Sequence, residues 1–189
     1  MLPDLASAAG LRALAPREGA LCLGFRLHAA ADAAFHAAPE FAALVSAGRA
    51  ELETAGLSRG SAHGAAHVGI ELLLDGWLAA QRPPSAAFGE ALARAPGLAA
   101  DADLFRSAPD PGRWRALCAR LLEGELPGAY WRPERAALAV ERTLARRPRL
   151  ALRAGERSAV ARWLAGAAGA LAPRAGVLLA RAGAAAPRP

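Results

Sequence analysis

The chain has 189 residues, enough for one ordinary domain with a substantial hydrophobic core. Hydrophobic residues make up 54% of the chain, aromatic residues only 5%, and the formal net charge is +6. Because the apolar share comes mostly from alanine and leucine, which favour helices, the composition argues against a sheet-based fold. It predicts an all-α fold, a single-domain helical bundle over residues 1–183 with a flexible C-terminal tail at 184–189.

Proline and glycine residues divide the chain into about seven to nine predicted helices. The alanine-rich stretches between these breaks lack the alternation of apolar and polar residues that is typical of strands. The predicted helices cover residues 5–14, 20–36, 40–54, 62–80, 85–95, 112–122, 133–146 and 156–171, the last resuming after Pro173.

All 23 basic residues are arginines, and they give the chain a cationic surface that attracts acidic partners. A GC-rich coding sequence is the favoured explanation for most of these arginines, ahead of any functional one. Nucleic acid is not favoured as the partner, because no basic run is interleaved with aromatic residues and no binding motif is present. A small acidic protein is an equally good partner by charge alone.

The remaining features predict a cytoplasmic protein that does not enter a membrane. Cys22 and Cys118 lie far apart in the sequence and are interpreted as small core residues. The N-terminal segment contains Asp4 and has no long apolar region, which argues against a secretory signal. Near the C-terminus, Pro173 and Arg174 interrupt WLAGAAGALAPRAGVLLA before the roughly 20 residues that a membrane span needs.

The histidines are the most informative residues, because all four fall between positions 28 and 67, on two predicted helices that flank a third. Together with acidic residues they form two rows in which each member lies four residues after the last. Residues spaced in this way lie on nearly one face of a helix. The rows are His28, Asp32 and His36 on the first helix, and His63, His67, Glu71 and Asp75 on the second.

Helix geometry limits how a metal ion could use these rows. Each step of four residues rises about 6 Å, whereas metal–ligand bonds measure about 2.0 to 2.2 Å. One ion therefore cannot take a whole row. Three arrangements remain possible. One ion could bind an adjacent pair of residues from each helix, two neighbouring ions could share the rows, or some members could bind the ion while the others orient them. Solvated acidic residues and ordinary core histidines are the competing interpretation.

Three blocks of the chain match the motifs of a known family. GFRLHAAADAAFHAAP keeps Gly24, His28, Asp32 and Pro39 at the spacing of the family stretch G-I-x-x-H-R-x-I-D-x-x-T-D-x-x-P. ELLLDGWL follows the pattern D-x-x-x-D-H-F-L, and ARRPRL at 145–150 nearly reproduces S-R-R-P-R-L. In these blocks the chain resembles the acyl-carrier-protein phosphodiesterases, helical metal-dependent hydrolases grouped with the HD-domain phosphohydrolases. The resemblance implies an HD-domain-like fold.

The chain departs from the family pattern at several positions. Ala29 replaces an arginine, His36 replaces the second aspartate, and Gly76 replaces the histidine of the Asp-His pair. The family's N-terminal histidine block has no counterpart here. His63 and His67 are possible replacement imidazoles, or they are incidental to a chain that has lost the activity.

The resemblance implies hydrolysis of the phosphodiester that joins 4′-phosphopantetheine to a serine of acyl carrier protein, a step connected with lipid biosynthesis. It implies a divalent metal, with Mn as the first choice and Fe or Zn as alternatives. Arg147 and Arg149 are candidate phosphate-binding residues, although arginines at a helix end are often only a solvated cap. The predicted metal ligands from the family blocks are His28, Asp32, Glu71 and Asp75, of which Glu71 and Asp75 are also the candidate catalytic residues. Asp4, from the N-terminal segment, and His67, as a replacement imidazole, complete the predicted set.

Two other functions remain open. The chain could be a non-catalytic helical domain of the same fold that binds a metal only structurally. It could also hydrolyse another acidic phosphoester instead of acyl carrier protein.

Overall fold

The computed structural model describes residues 6, 9, 11–14, 19–82, 86–100, 104–106, 110–122 and 128–185. In this part of the chain the elements are helices, and the predicted all-α class is confirmed. Short 3-10 segments cover Ala95–Ala100 and Gly128–Trp131. The α-helices are α1 (Gly19–His36), α2 (Pro39–Thr54), α3 (Arg59–Gln81), α4 (Ala86–Arg94), α5 (Pro111–Leu122), α6 (Pro133–Leu144) and α7 (Glu156–Ala185).

Proline and glycine set the helix boundaries much as the sequence indicates. Pro39 and Pro133 stand at the start of α2 and α6, where the missing N–H group is not needed for a helical hydrogen bond. Gly56 follows the end of α2 with a φ of +97°, a backbone conformation that favours glycine. α7 is longer than expected, because it continues through Pro173 to Ala185, into the predicted tail.

The predicted helix over residues 5–14 is wrong in its last turn. Residues 11–14 are not helical, and Ala13 instead forms an isolated antiparallel bridge with Phe105. The Leu14 N–H donates to the Leu104 carbonyl (2.8 Å), and the Arg106 N–H donates to the Arg12 carbonyl (3.0 Å). Pairing with a distant segment therefore outweighs the helical preference of this short stretch.

The chain divides into two compact units. The first comprises Met1–Ala34, Pro84–Leu126 and Ala182–Pro189. Its core surrounds Trp114, whose Nε1–H donates to the Ala95 carbonyl (2.7 Å). Cys118 is buried beside it, and burial raises the pKa of its thiol. Both cysteines are free, but the prediction that they are core residues is confirmed only for Cys118, since Cys22 is half-buried and lies outside the core.

The second unit comprises Phe35–Pro83 and Pro127–Arg181, and it holds the larger core. α3 lies at its centre and packs against α2, α6 and the 3-10 segment Gly128–Trp131. Trp163 of α7 is buried against both α2 and α3. A Cβ atom added at Gly69 would lie 2.6 Å from the Trp163 ring, and one at Gly48 would also collide with that ring. Glycine at both positions therefore lets one indole ring lie between the two helices.

α7 is long and apolar enough to cross a membrane, by length and composition alone. The expectation that Pro173 and Arg174 interrupt it is wrong, since the helix passes through both residues. Its buried residues form one face that belongs to the core of the second unit, while only 28% of its apolar 18-residue window is buried. Those residues are Val160, Trp163, Leu164, Ala167, Leu171, Ala175 and Leu178.

Ser58 caps the N-terminus of α3, the helix that carries all four members of the second histidine-containing row. Its hydroxyl oxygen accepts a hydrogen bond from the Ser61 N–H (3.1 Å). A Ser58→Ala variant should lower the free energy of unfolding by about 1 kcal/mol, because that N–H loses its partner. Ser58→Asp is the matched control, because it keeps a side-chain oxygen that can accept from that N–H, and it should cost only about a few tenths of a kcal/mol. Urea denaturation of the two variants measures the difference, and equal losses would contradict the capping role.

Candidate metal centre

His36 reaches the site because α1 ends at this residue. Ala38 precedes Pro39 and takes an extended conformation (φ −67°, ψ 128°), which a residue before proline favours over the helical one. The Ala38 N–H donates to the Phe35 carbonyl (3.1 Å) and closes the turn. The His36 ring therefore lies beside the first turn of α2 and faces α3.

α3 supplies the two other members of the site. His67 and Glu71 lie four residues apart on this helix, so their side chains project from one face. The side chains of His36, His67 and Glu71 are all about one-third exposed, at 31%, 35% and 34%. They are thus held in place on one side and accessible on the other. We call these three residues the trio.

The trio brings three potential ligand atoms together. His36 Nε2 lies 2.9 Å from Glu71 Oε1, and His67 Nε2 lies 3.2 Å from the same oxygen. The two Nε2 atoms are 3.2 Å apart. Ligand atoms bound about 2.1 Å from one ion are separated by roughly 3.0 to 3.4 Å at octahedral or tetrahedral angles. The trio therefore already has almost the spacing of three ligands on one face of a metal ion.

Hydrogen bonds alone satisfy this triangle poorly. A neutral imidazole nitrogen either donates or accepts a proton. If both Nε2 atoms donate to Glu71, they face each other without a hydrogen bond. If one of them accepts instead, its lone pair faces the lone pairs of Glu71 Oε1. A cation at the centre of the three atoms removes both conflicts.

Phe41 of α2 supports both imidazoles. It is 3% exposed, and its ring makes edge contacts with His36 and His67 at centroid distances of 5.2 Å in each case. The two histidine rings are stacked, with centroids 5.0 Å apart and 12° between their planes. The rings are therefore oriented by packing as well as by polar contacts.

Glu71 has the charge that a metal ligand requires. Burial raises the pKa of its carboxyl group, but the hydrogen bonds and charges of His67 and His36 together lower that pKa below its usual range. Glu71 is therefore ionised at neutral pH. An ionised carboxylate beside two imidazoles is a donor set that suits Zn, Fe or Mn.

An open pocket of about 310 Å³ adjoins the trio. Its wall is formed by side chains from one face of α2, by His63 and His67 of α3, and by His36 at the end of α1. The lining residues are His36, Phe41, Ala42, Val45, Ser46, Arg49, His63 and His67. A small molecule in this pocket would contact the imidazoles directly.

The trio contains only two of the ligands predicted from sequence, His67 and Glu71. His28 and Asp32 lie earlier on α1, in the first unit, and Asp75 is exposed one turn beyond Glu71. Asp4 lies outside the described residues. The ligand roles of these four residues, and the catalytic role of Asp75, stay predictions.

The other residues from the family blocks lie away from the pocket lining. Arg147 and Arg149 are exposed in the turns that follow α6, and their phosphate-binding role stays a prediction. Gly76, at the position of the family histidine, is buried against the backbone of Tyr130 and Trp131. A Cβ atom there would collide with that backbone. This position of the chain is therefore closed to a histidine side chain.

Three site residues were not assigned a role from sequence. His36 had been recognised only as a member of the first row, and Phe41 and Arg49 had not been recognised at all. Phe41, Val45 and Arg49 recur at intervals of four residues along α2, which is the signal of a shared helix face. The sequence alone does not show that this face adjoins His67.

No protein-family model, curated protein or solved structure matches this chain. The resemblance to acyl-carrier-protein phosphodiesterases accordingly rests on the three short sequence blocks. The candidate metal site is independent of that resemblance, since it follows from the positions of three side chains.

Proposed function

We propose that the protein is a metal-dependent phosphoester hydrolase whose divalent metal is held by His36, His67 and Glu71. One observation carries this proposal: an oxygen and two nitrogen atoms converge, 2.9 to 3.2 Å apart, and the two histidines that supply the nitrogen atoms line an open pocket. Catalytic metal sites typically have three protein ligands and leave further positions to water and substrate. Two imidazoles and one carboxylate form such a set.

A divalent ion bound there would supply positive charge to the phosphoryl oxygens and lower the pKa of a bound water towards 7. In the overall reaction the water oxygen forms a bond to phosphorus, the bond from phosphorus to the leaving oxygen breaks, and a proton passes to that oxygen. His63 is the candidate to carry this proton, because it lines the pocket with its ring centroid 6.1 Å from that of His67. Phe41 keeps the two ligand imidazoles in position.

The substrate proposed first is holo acyl carrier protein, from which hydrolysis would release 4′-phosphopantetheine and leave the serine hydroxyl free. Support comes from the three family blocks and from the net charge of +6, which suits an acidic partner. Another phosphoester is the alternative substrate. A non-catalytic metal-binding domain is the alternative function, supported by the loss of the family histidine at Gly76.

The purified protein is expected to contain one Mn, Fe or Zn ion per chain and to cleave a phosphoester only with that ion present. Elemental analysis gives the metal content. Mass spectrometry of holo acyl carrier protein after incubation with Mn²⁺ shows whether the prosthetic group is lost, and a panel of chromogenic phosphomonoesters and phosphodiesters tests other substrates.

Each result bears on one part of the proposal. Loss of the prosthetic group that stops with chelator supports the carrier-protein substrate. Cleavage of only small phosphoesters removes that substrate and keeps the hydrolase. A bound metal without any cleavage favours the structural role. An oxygen-dependent reaction that occurs only with Fe bound would replace hydrolysis as the proposed activity. The absence of both metal uptake and cleavage overturns the proposal.

A further inference from the structure

The pocket extends along α2 away from the trio. Phe41 packs against the rings of His36 and His67, and Val45 and Arg49 follow it on the same face of the helix. The backbone of Arg49 therefore lies roughly 12 Å along the helix axis from that of Phe41. Arg49 therefore lines the part of the pocket that lies further along α2 from Phe41 and the trio.

Arg49 has an unused hydrogen-bond donor. Its Nε atom is buried and has no hydrogen-bond partner among the described residues. The nearest carboxylate is Glu53, whose Oε1 lies 3.7 Å from Nε, beyond hydrogen-bond distance. Exposed ion pairs between residues four apart on a helix contribute little to stability. Glu53 therefore holds the guanidinium weakly.

The charge of the pocket changes along its length. Arg49 is the one permanently charged side chain among the described lining residues, whereas Glu71, the carboxylate of the trio, contacts the lining residues His36 and His67 and is not itself part of the lining. His63 precedes His67 by one turn on α3 and also lines the pocket. A guanidinium presents paired donors that match the oxygens of a carboxylate or phosphate group.

We propose that the substrate carries a second anionic group, apart from the reacting phosphoryl group, and that Arg49 binds this group at the far end of the pocket. The inference rests on the proposed hydrolase, whose reacting group would lie at the trio. The pocket volume of about 310 Å³ suits a small molecule or the end of a larger one. Arg49 thus determines specificity, while the trio supplies the chemistry.

Non-hydrolysable probes with one or two anionic groups test this assignment. Calorimetry compares methylphosphonate, which has one anionic group, with 3-phosphonopropionate and 4-phosphonobutyrate, which add a carboxylate on chains of different length. The wild type should bind at least one phosphonocarboxylate about 10-fold more tightly than methylphosphonate, the size expected of a charge-assisted contact. Arg49→Gln should reduce this preference to about twofold or less.

Arg157→Gln is the matched control, because Arg157 is an exposed arginine paired with Glu141 (2.9 Å) and does not line the pocket. It should keep the full preference. If circular dichroism shows that Arg49→Gln does not fold, Arg49→Met, which keeps the apolar part of the side chain, takes its place. A wild type without any preference, or an Arg49 variant that keeps it, overturns the assignment.

Metal content and probe binding in chelator separate this inference from the proposed function. If the protein holds no metal but its preference for phosphonocarboxylates still depends on Arg49, the hydrolase is contradicted and the anion site is supported. A metal-loaded active protein whose preference survives loss of Arg49 supports the hydrolase and contradicts the anion site.

Discussion

A Glu71→Gln variant is expected to bind Zn²⁺ or Mn²⁺ at least about 100-fold more weakly than the wild type, since even residues that only orient ligands typically change metal affinity 10- to 100-fold. Glutamine keeps the size of the side chain and its hydrogen-bonding oxygen but removes the negative charge. Competition with a chromophoric chelator measures the affinity. In thermal melts, metal at 100 times its wild-type dissociation constant should stabilise the wild type by about 2.7 kcal/mol, and at the same concentration this gain should fall to about 0.4 kcal/mol or less in the variant.

The predicted rows provide the matched controls. Asp75→Asn removes an exposed carboxylate one helical turn from Glu71, and Asp32→Asn removes one from α1. Neither residue belongs to the trio, so the metal affinity of both variants should stay within about threefold of the wild-type value. A threefold change in affinity corresponds to less than half of the binding free energy of a tenfold change. Undiminished metal binding by Glu71→Gln would refute the trio. If metal affinity fell only in Asp75→Asn or Asp32→Asn, the ligands would be the row residues predicted from sequence and not the trio.

Alanine at Gly48 or Gly69 is expected to lower the free energy of unfolding by about 1 to 3 kcal/mol, the usual cost of an overpacked core. Each new methyl group would collide with the ring of Trp163, which is 7% exposed and has little room to move. Because this ring lies between α2 and α3, the same substitutions should also weaken metal binding. Chemical denaturation and metal titration of each variant measure the two effects.

Gly169→Ala is the control, since it lies on the same helix as Trp163 and an added Cβ there meets nothing within 4 Å. This substitution should stabilise the protein by up to about 1 kcal/mol, because alanine is the better helix former. Equal effects at the three glycines would mean that helix preference, and not contact with Trp163, governs these positions.

Helix positions could be predicted from sequence because local chemistry sets them. Pro39 and Pro133 begin helices, and glycine with positive φ follows the end of α2. The errors occur where tertiary contacts outweigh local preference. Ala13 pairs with Phe105, and α7 continues through Pro173 because its buried face extends from Val160 to Leu178.

The candidate site was predicted only in part. A spacing of four residues indicated that His67 and Glu71 share a face of one helix, and this part of the reasoning needs no tertiary information. The third member of the trio depends on how the turn at Ala38 and Pro39 directs His36, and on the packing of Phe41 between helices. Arg49 carries no motif, so only the pocket identifies it.

The trio is drawn from a single continuous segment, since His36 and Glu71 are separated by 35 residues. An ion that joined them would close a short loop through α2, and the entropy lost on closing such a loop grows only slowly with its length. The cation would then act as a crosslink that favours the ordered segment over its unfolded forms. Removing it should expose the amide protons of α2 to exchange before those of α6.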